Sequence, residues 1–159
     1  PKALKTPEDY DIRASLMWTA TLALNGLIGA GVPQDWASHM IGHEITALND
    51  TDHARTLAVI LPSLLNDQRG HKHEKLLQYA RNVWGINEGS DAVRIDAAID
   101  ATRAFFEQLG IKTHLSDYDI AAPEIEVIVS ALQEHGMTAL GEHKDITPTD
   151  VRRILEASL

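Results

Sequence analysis

Residues that start and stop helices recur at helix-length intervals along this chain, and no stretch of useful length alternates apolar and polar residues. A strand half-buried in a sheet needs that alternation, so the pattern excludes a sheet and leaves helix packed on helix. Thr6-Pro7-Glu8-Asp9 combines a hydroxyl cap, a proline and two carboxylates, a start signal for a helix reaching about Asn25. Pro33 opens a second helix through about Leu48. Asn49-Asp50-Thr51-Asp52 is a turn, with Asp52 placed to cap a third helix from His53 in which Pro62 predicts a kink or early break. Gly70 to Trp84 forms a fourth helix with Leu76, Leu77, Tyr79, Ala80 and Val83 inward, ended by Gly85.

Ser90-Asp91 caps a fifth helix to Leu109, with Val93, Ile95, Ala98, Ile99, Ala101, Phe105 and Phe106 inward and Gly110 closing it. Thr113 to Ala122 reads as an irregular connector. Pro123 starts a sixth helix ending at His135-Gly136, and Thr147-Pro148-Thr149-Asp150 starts a seventh. The expectation is a single all-α domain of about seven helices.

With 159 residues, 44% of them hydrophobic, the chain can bury a core without covalent staples. It has no cysteine, which excludes disulfides and thiolate chemistry and fits a reducing, cytoplasmic setting. A net charge of −9 argues against nucleic acid as partner. From Ala14 to Gln34 no residue is charged, long enough to span a bilayer, yet Thr19, Thr21, Asn25 and several glycines make it only moderately apolar. It reads as a core helix buried on most sides, with no membrane partner. The chain opens on Pro1 without an apolar run of signal-peptide kind, as expected of a processed product or a piece of a longer polypeptide.

Chemistry concentrates in one segment. His39 and His43 lie at i and i+4, so they share a helix face about 6 Å apart, and His53 follows just past the turn. Neutral imidazoles at such spacing can converge on a divalent metal. Ala37, Ser38, Gly42, Ala47 and Ala54 around them permit close approach of another backbone or a cofactor. A His-Glu-x-x-His zinc site is excluded, because Ala47 stands where the second histidine is required. Glycine-rich nucleotide loops, a Gly-x-Ser-x-Gly elbow and a Glu-x-x-His pair of the di-iron kind are also absent. His71 and His73 read as solvated, His114 as an uninformative connector residue, His135 as a residue at a helix C-terminus, and His143 as a loop residue.

Trp36-x-Ser38-His39-x-x-Gly42-His43-x-Ile45-Thr46-Ala47-x-x-x-Thr51-x-His53-Ala54-x-Thr56 resembles the second signature of the iron-containing (group III) alcohol dehydrogenases. Leu24-Asn25-Gly26, Gly31-Val-Pro-Gln-Asp-Trp36, Leu76-Leu-Gln-Tyr-Ala80, Phe106-Glu-Gln-Leu-Gly110 and Thr113-His-Leu-Ser-Asp-Tyr118 extend the likeness over the whole chain, toward the bacterial NADPH-dependent aldehyde reductase and butanol dehydrogenase branch. The resemblance implies the C-terminal all-helical metal-binding domain of a dehydroquinate synthase-like, iron-alcohol dehydrogenase fold across residues 1–159. The N-terminal dinucleotide-binding domain is absent from this chain.

The resemblance further implies that His39 and His53 are metal ligands for Fe(II) or Zn(II). His43 would be the histidine beside the nicotinamide of NADP (or NAD), at once cofactor-binding and catalytic as a proton relay. The family's upstream Asp-x-x-x-His pair is missing here, since no histidine precedes His39. The implied reaction interconverts primary alcohols and aldehydes by hydride transfer, with a small-molecule alcohol or aldehyde as partner and a homodimer as the family's assembly. The Met137–Lys144 loop would border the substrate pocket. The isolated chain is expected to be inactive. The alternative is a non-catalytic helical interaction module that keeps its histidines as remnants.

Overall fold

A computed structural model describes all residues 1–159. It contains eight α-helices and no strand, as expected of an all-α chain. In order these are α1 (Lys2–Lys5), α2 (Tyr10–Leu24), α3 (Ala37–Asn49), α4 (His53–Asp67), α5 (His73–Trp84), α6 (Asp91–Gln108), α7 (Ala122–Glu134) and α8 (Pro148–Glu156), with a 3₁₀ turn at Leu115–Tyr118 before α7. The eighth helix is the short α1, which carried no sequence signal. No helix is long and apolar enough to cross a membrane. The chain divides into two compact units, Pro1–Asp35 and Trp36–Leu159.

In the first unit, Asp9 rather than Thr6 caps α2, accepting from the Ile12 N–H at 3.1 Å. Thr6 is committed elsewhere: its hydroxyl and its N–H both donate to the Lys2 carbonyl. The expectation that this segment is buried on most sides is wrong. No residue of α2 is buried, and Leu16, Met17, Trp18 and Leu24 are each 60% or more exposed. Burial needs an opposing apolar layer, and within this unit α2 meets only the four-residue α1.

The second unit has a true core. Ile41 and Ile45 of α3 pack with Val59, Ile60 and Leu64 of α4, with Ile125, Ile128 and Leu132 of α7, and with Val151, Ile154 and Leu155 of α8. A smaller cluster joins Leu76 of α5 to Ile95 and Ile99 of α6. The connector expected to be irregular contributes Leu115 and Ile120 to the main core, pinned by the Leu115 N–H donating to the Ser158 carbonyl at 2.7 Å. Val83, Val93 and Phe105, expected inward, are exposed; α5 and α6 bury narrower stripes than their apolar content suggested.

Helix boundaries follow local chemistry. Pro33 does not begin α3, whose first bond is Met40 N–H to the Trp36 carbonyl. Pro62 does not end α4, which continues to Asp67 with Pro62 buried. Gly70 precedes rather than opens α5. Thr147 and Asp150 form the reciprocal capping box expected at α8.

Candidate metal and proton-transfer site

The three histidines of the segment do come together, within the second unit. His39 and His43 project from α3, and His53 is the first residue of α4. The ring centroids of His39 and His53 are 5.2 Å apart, and those of His43 and His53 are 4.8 Å apart with planes crossed at 80°. His53 is thus the ring that both others meet. His39 is half-buried, while His43 and His53 are exposed.

Two features of the hairpin set this spacing. At Gly42, one helical turn after His39 and directly before His43, a Cβ would stand 2.7 Å from Thr56 Oγ1 and 3.3 Å from Thr56 Cβ. Glycine leaves room here for the Thr56 side chain of α4, where another backbone or a cofactor was expected to approach. The turn itself is tied by side chains. Asp50 adopts φ 60°, the Thr51 hydroxyl donates to Asn49 Oδ1 at 2.7 Å, and the Thr46 hydroxyl donates to the Thr51 carbonyl at 2.9 Å. Asn49 Nδ2 donates to the Tyr118 carbonyl, and the Thr56 hydroxyl returns to the His53 carbonyl at 2.8 Å. The threonines of the motif are therefore fasteners of the turn that presents His53.

Asp52 stands at the N-cap position of α4, yet its carboxylate does not cap. It pairs instead with Arg55 Nε at 3.1 Å. Trp36 meets His39 edge-on, with ring centroids 4.9 Å apart.

Other histidines are more engaged than expected. His71 Nδ1 lies 2.6 Å from Asp145 Oδ2, although its side chain is 61% exposed. His135 is indeed the C-cap residue of α7, but it also holds the Glu44 carboxylate at 2.7 Å. Glu44 follows His43 directly and is buried, so this pair braces α3 against the end of α7. Nothing in the local sequence pattern pointed to a partner 91 positions away.

The Met137–Lys144 loop is also anchored. Lys72 Nζ sits 2.5 Å from both oxygens of Glu142. Burial tends to raise the Glu142 carboxyl, but the Lys72 hydrogen bond, a backbone N–H and the Lys72 and His143 charges together hold it below its ordinary value. At Asp145 burial likewise tends to raise the carboxyl, but the His71 hydrogen bond, a backbone N–H and the His71 and His143 charges together hold it below its ordinary value.

The hairpin fits half of a metal shell. An imidazole nitrogen ligates at about 2.1 Å, which places two ligating ring centres on a tetrahedral ion roughly 5 Å apart. Both ring pairs meet that spacing. No group of three or more His, Cys, Asp or Glu side chains in the chain is placed to hold a metal.

Comparison with known proteins gives this geometry a setting. The sequence profile of the Fe-containing alcohol dehydrogenase family, C-terminal part, matches residues 1–159. The chain belongs to the Fe-containing alcohol dehydrogenase family. It is 64% identical over 158 residues to the NADPH-dependent aldehyde reductase YqhD of Escherichia coli (strain K12), a match covering 99% of this chain and 41% of that protein. It is 34% identical over 161 residues to NADH-dependent butanol dehydrogenase A of Clostridium acetobutylicum, covering 98% and 41%.

Among solved structures, the substrate and cofactor-free form of the E. coli aldehyde reductase YqhD matches with a TM-score of 0.98 at 63% identity, over 100% of this chain and 42% of that one. NADH-dependent butanol dehydrogenase A from Thermotoga maritima matches with a TM-score of 0.92 at 28% identity, over 99% and 41%. The family expectation carried by the histidine segment is met. This member of the Fe-containing alcohol dehydrogenases spans about two fifths of the length of the curated relatives it matches.

Proposed function

We propose that residues 1–159 are the C-terminal metal-binding domain of an NAD(P)H-dependent aldehyde reductase or alcohol dehydrogenase, acting on small primary alcohols and aldehydes. His39 and His53 hold the metal, Fe(II) or Zn(II), through neutral imidazole nitrogens. His43 lies beside the nicotinamide and relays the proton. An N-terminal dinucleotide-binding domain, with the other two ligands, belongs to further polypeptide. The observation that carries the reading is the 5.2 Å separation of the His39 and His53 rings across the α3–α4 turn. Names of the relatives, one an NADPH-dependent aldehyde reductase and one an NADH-dependent butanol dehydrogenase, support the nicotinamide cofactor and the substrate class. A cytoplasmic, homodimeric enzyme without nucleic-acid or membrane partners is part of the same proposal.

When bound, the metal and nicotinamide would supply Lewis-acid polarisation of the alcohol or aldehyde oxygen and a hydride acceptor or donor. Within this chain, His39 is steadied by Trp36, and His53 is oriented by the threonine-locked turn. His43 is exposed one helical turn beyond His39, where its imidazole can give or take a proton. His53, in contact with both rings, keeps the donor pair and the relay within one turn of each other.

The test uses protein extended upstream to the length of the relatives. His39→Ala and His53→Ala are expected to lower metal content at least about a hundredfold in affinity, beyond the loss usual for a mere ligand-orienting residue. His43→Ala is expected to keep the metal and lose turnover. If His43→Ala empties the site while His39→Ala leaves it filled, the 4.8 Å pair is the ligand pair and the role assignment fails. The 159-residue chain alone, given NADPH, aldehyde and metal, is expected to show no turnover.

A further inference from the structure

Away from the histidine hairpin, α5 and α6 enclose a hollow of about 430 Å³ lined by Glu74, Lys75, Leu77, Gln78, Arg81 and Arg94. Three of its six lining residues are cations, in a chain whose net charge is −9. Their charges are poorly matched by protein. Lys75 Nζ donates only to the neutral Gln78 Oε1, at 2.7 Å, and Arg81 Nε only to the neutral Asn82 Oδ1, at 3.1 Å. Arg94 has a single carboxylate contact, to Asp91 at 3.4 Å, and its Nε is buried with no hydrogen-bond partner.

The one acidic side chain at the rim, Glu74, is 94% exposed and within reach of His73. It faces water. The Arg94 side chain is only 20% exposed, so its guanidinium has surrendered most of its hydration without a full set of acceptors in return.

We propose that this hollow binds a phosphomonoester or free phosphate dianion, with Arg81 and Arg94 as the two guanidinium contacts and Lys75 as a third cation. Guanidinium groups fork onto phosphate oxygens, and a lysine adds charge without demanding geometry. An oxyanion would give the unpartnered Arg94 Nε an acceptor. Leu77 forms an apolar wall on which the organic part of a phosphomonoester can rest. The site lies on different helices from the metal hairpin and does not depend on the assignment of His39, His43 or His53.

Titration of the 159-residue chain with inorganic phosphate, followed by amide NMR shifts, tests this, with chloride at matched ionic strength as the reference. Saturable shifts at the amides of residues 74–81 and 93–95 are expected, with Kd in the millimolar range or below. Arg81→Gln and Arg94→Gln should each weaken binding by about tenfold, or about 1.4 kcal/mol. Arg81 is exposed, so its variant keeps the test valid should Arg94→Gln unfold. Glycerol 3-phosphate as a second probe separates sources: tighter binding than inorganic phosphate identifies an organic phosphomonoester, and equal binding identifies the free anion. Shifts that rise linearly, that chloride reproduces, or that survive Arg81→Gln unchanged overturn the proposal.

Discussion

Helices α2 and α3 make an instructive pair. Both carry many apolar residues, yet α3 buries five positions and α2 buries none. On α3 the buried residues Ala37, Ile41, Gly42, Glu44 and Ile45 fall on one stripe, opposite exposed His43 and Ala47. On α2 the apolar residues Leu16, Met17, Trp18 and Leu24 face all round the helix and meet no opposing layer in their unit. Apolar content sets how much a helix can bury. Patterning and an available partner decide whether it does.

The sharpest way to break that contrast is to truncate one side chain on each helix and compare unfolding. Ile41→Ala, at a fully buried site, should cost about 2–5 kcal/mol, measured by denaturant titration. Leu16→Ala, at a residue 60% exposed, should stay within about 0.5 kcal/mol. A comparable loss at both would show that α2 is covered in solution.

The next effect is smaller and tests the close approach of α3 to α4. Gly42→Ala drives a Cβ against Thr56 and should cost about 1–3 kcal/mol, with Thr56→Ala in the same chain recovering part of the loss. If Gly42→Ala is neutral, the hairpin is not closed at that point.

Smallest is the acid sensitivity of the anchored loop. Glu142 has a lowered carboxyl in the folded state, so the unfolded chain binds more protons. Its contribution is present above the ordinary value of 4.5 and fades as pH falls through that value toward the lower folded one. Glu142→Gln should therefore flatten the decline of stability below about pH 4.5. An unchanged acid limb would show that the Lys72 contact adds nothing.

Much of this was legible in the sequence where the physics is local. Ser90, Thr147 with Asp150, and Gly85 mark helix ends because caps depend on neighbours a few residues away. The histidine motif was legible for the same reason, since a three-residue turn forces α3 and α4 together. What escaped was long-range. The Glu44–His135 and Lys72–Glu142 pairs join residues 91 and 70 positions apart, and nothing in either local pattern names the other. The core placement of Leu115 and Ile120 depended on the backbone of Ser158. The exposure of α2 was misjudged because composition reports appetite for burial, whereas the available surface comes from other parts of the chain.

The rings of His39, His43 and His53 are carried on a single hairpin whose geometry owes much to a missing Cβ and a handful of hydroxyls. Such a unit behaves like a prefabricated bracket: most of its ties join near neighbours in the chain, and the distant ones, Asn49 to Tyr118 and Glu44 to His135, hold its outer ends. Damage to the separate Leu76, Ile95 and Ile99 cluster would then lower the number of folded molecules while leaving the three rings equally far apart in those that remain.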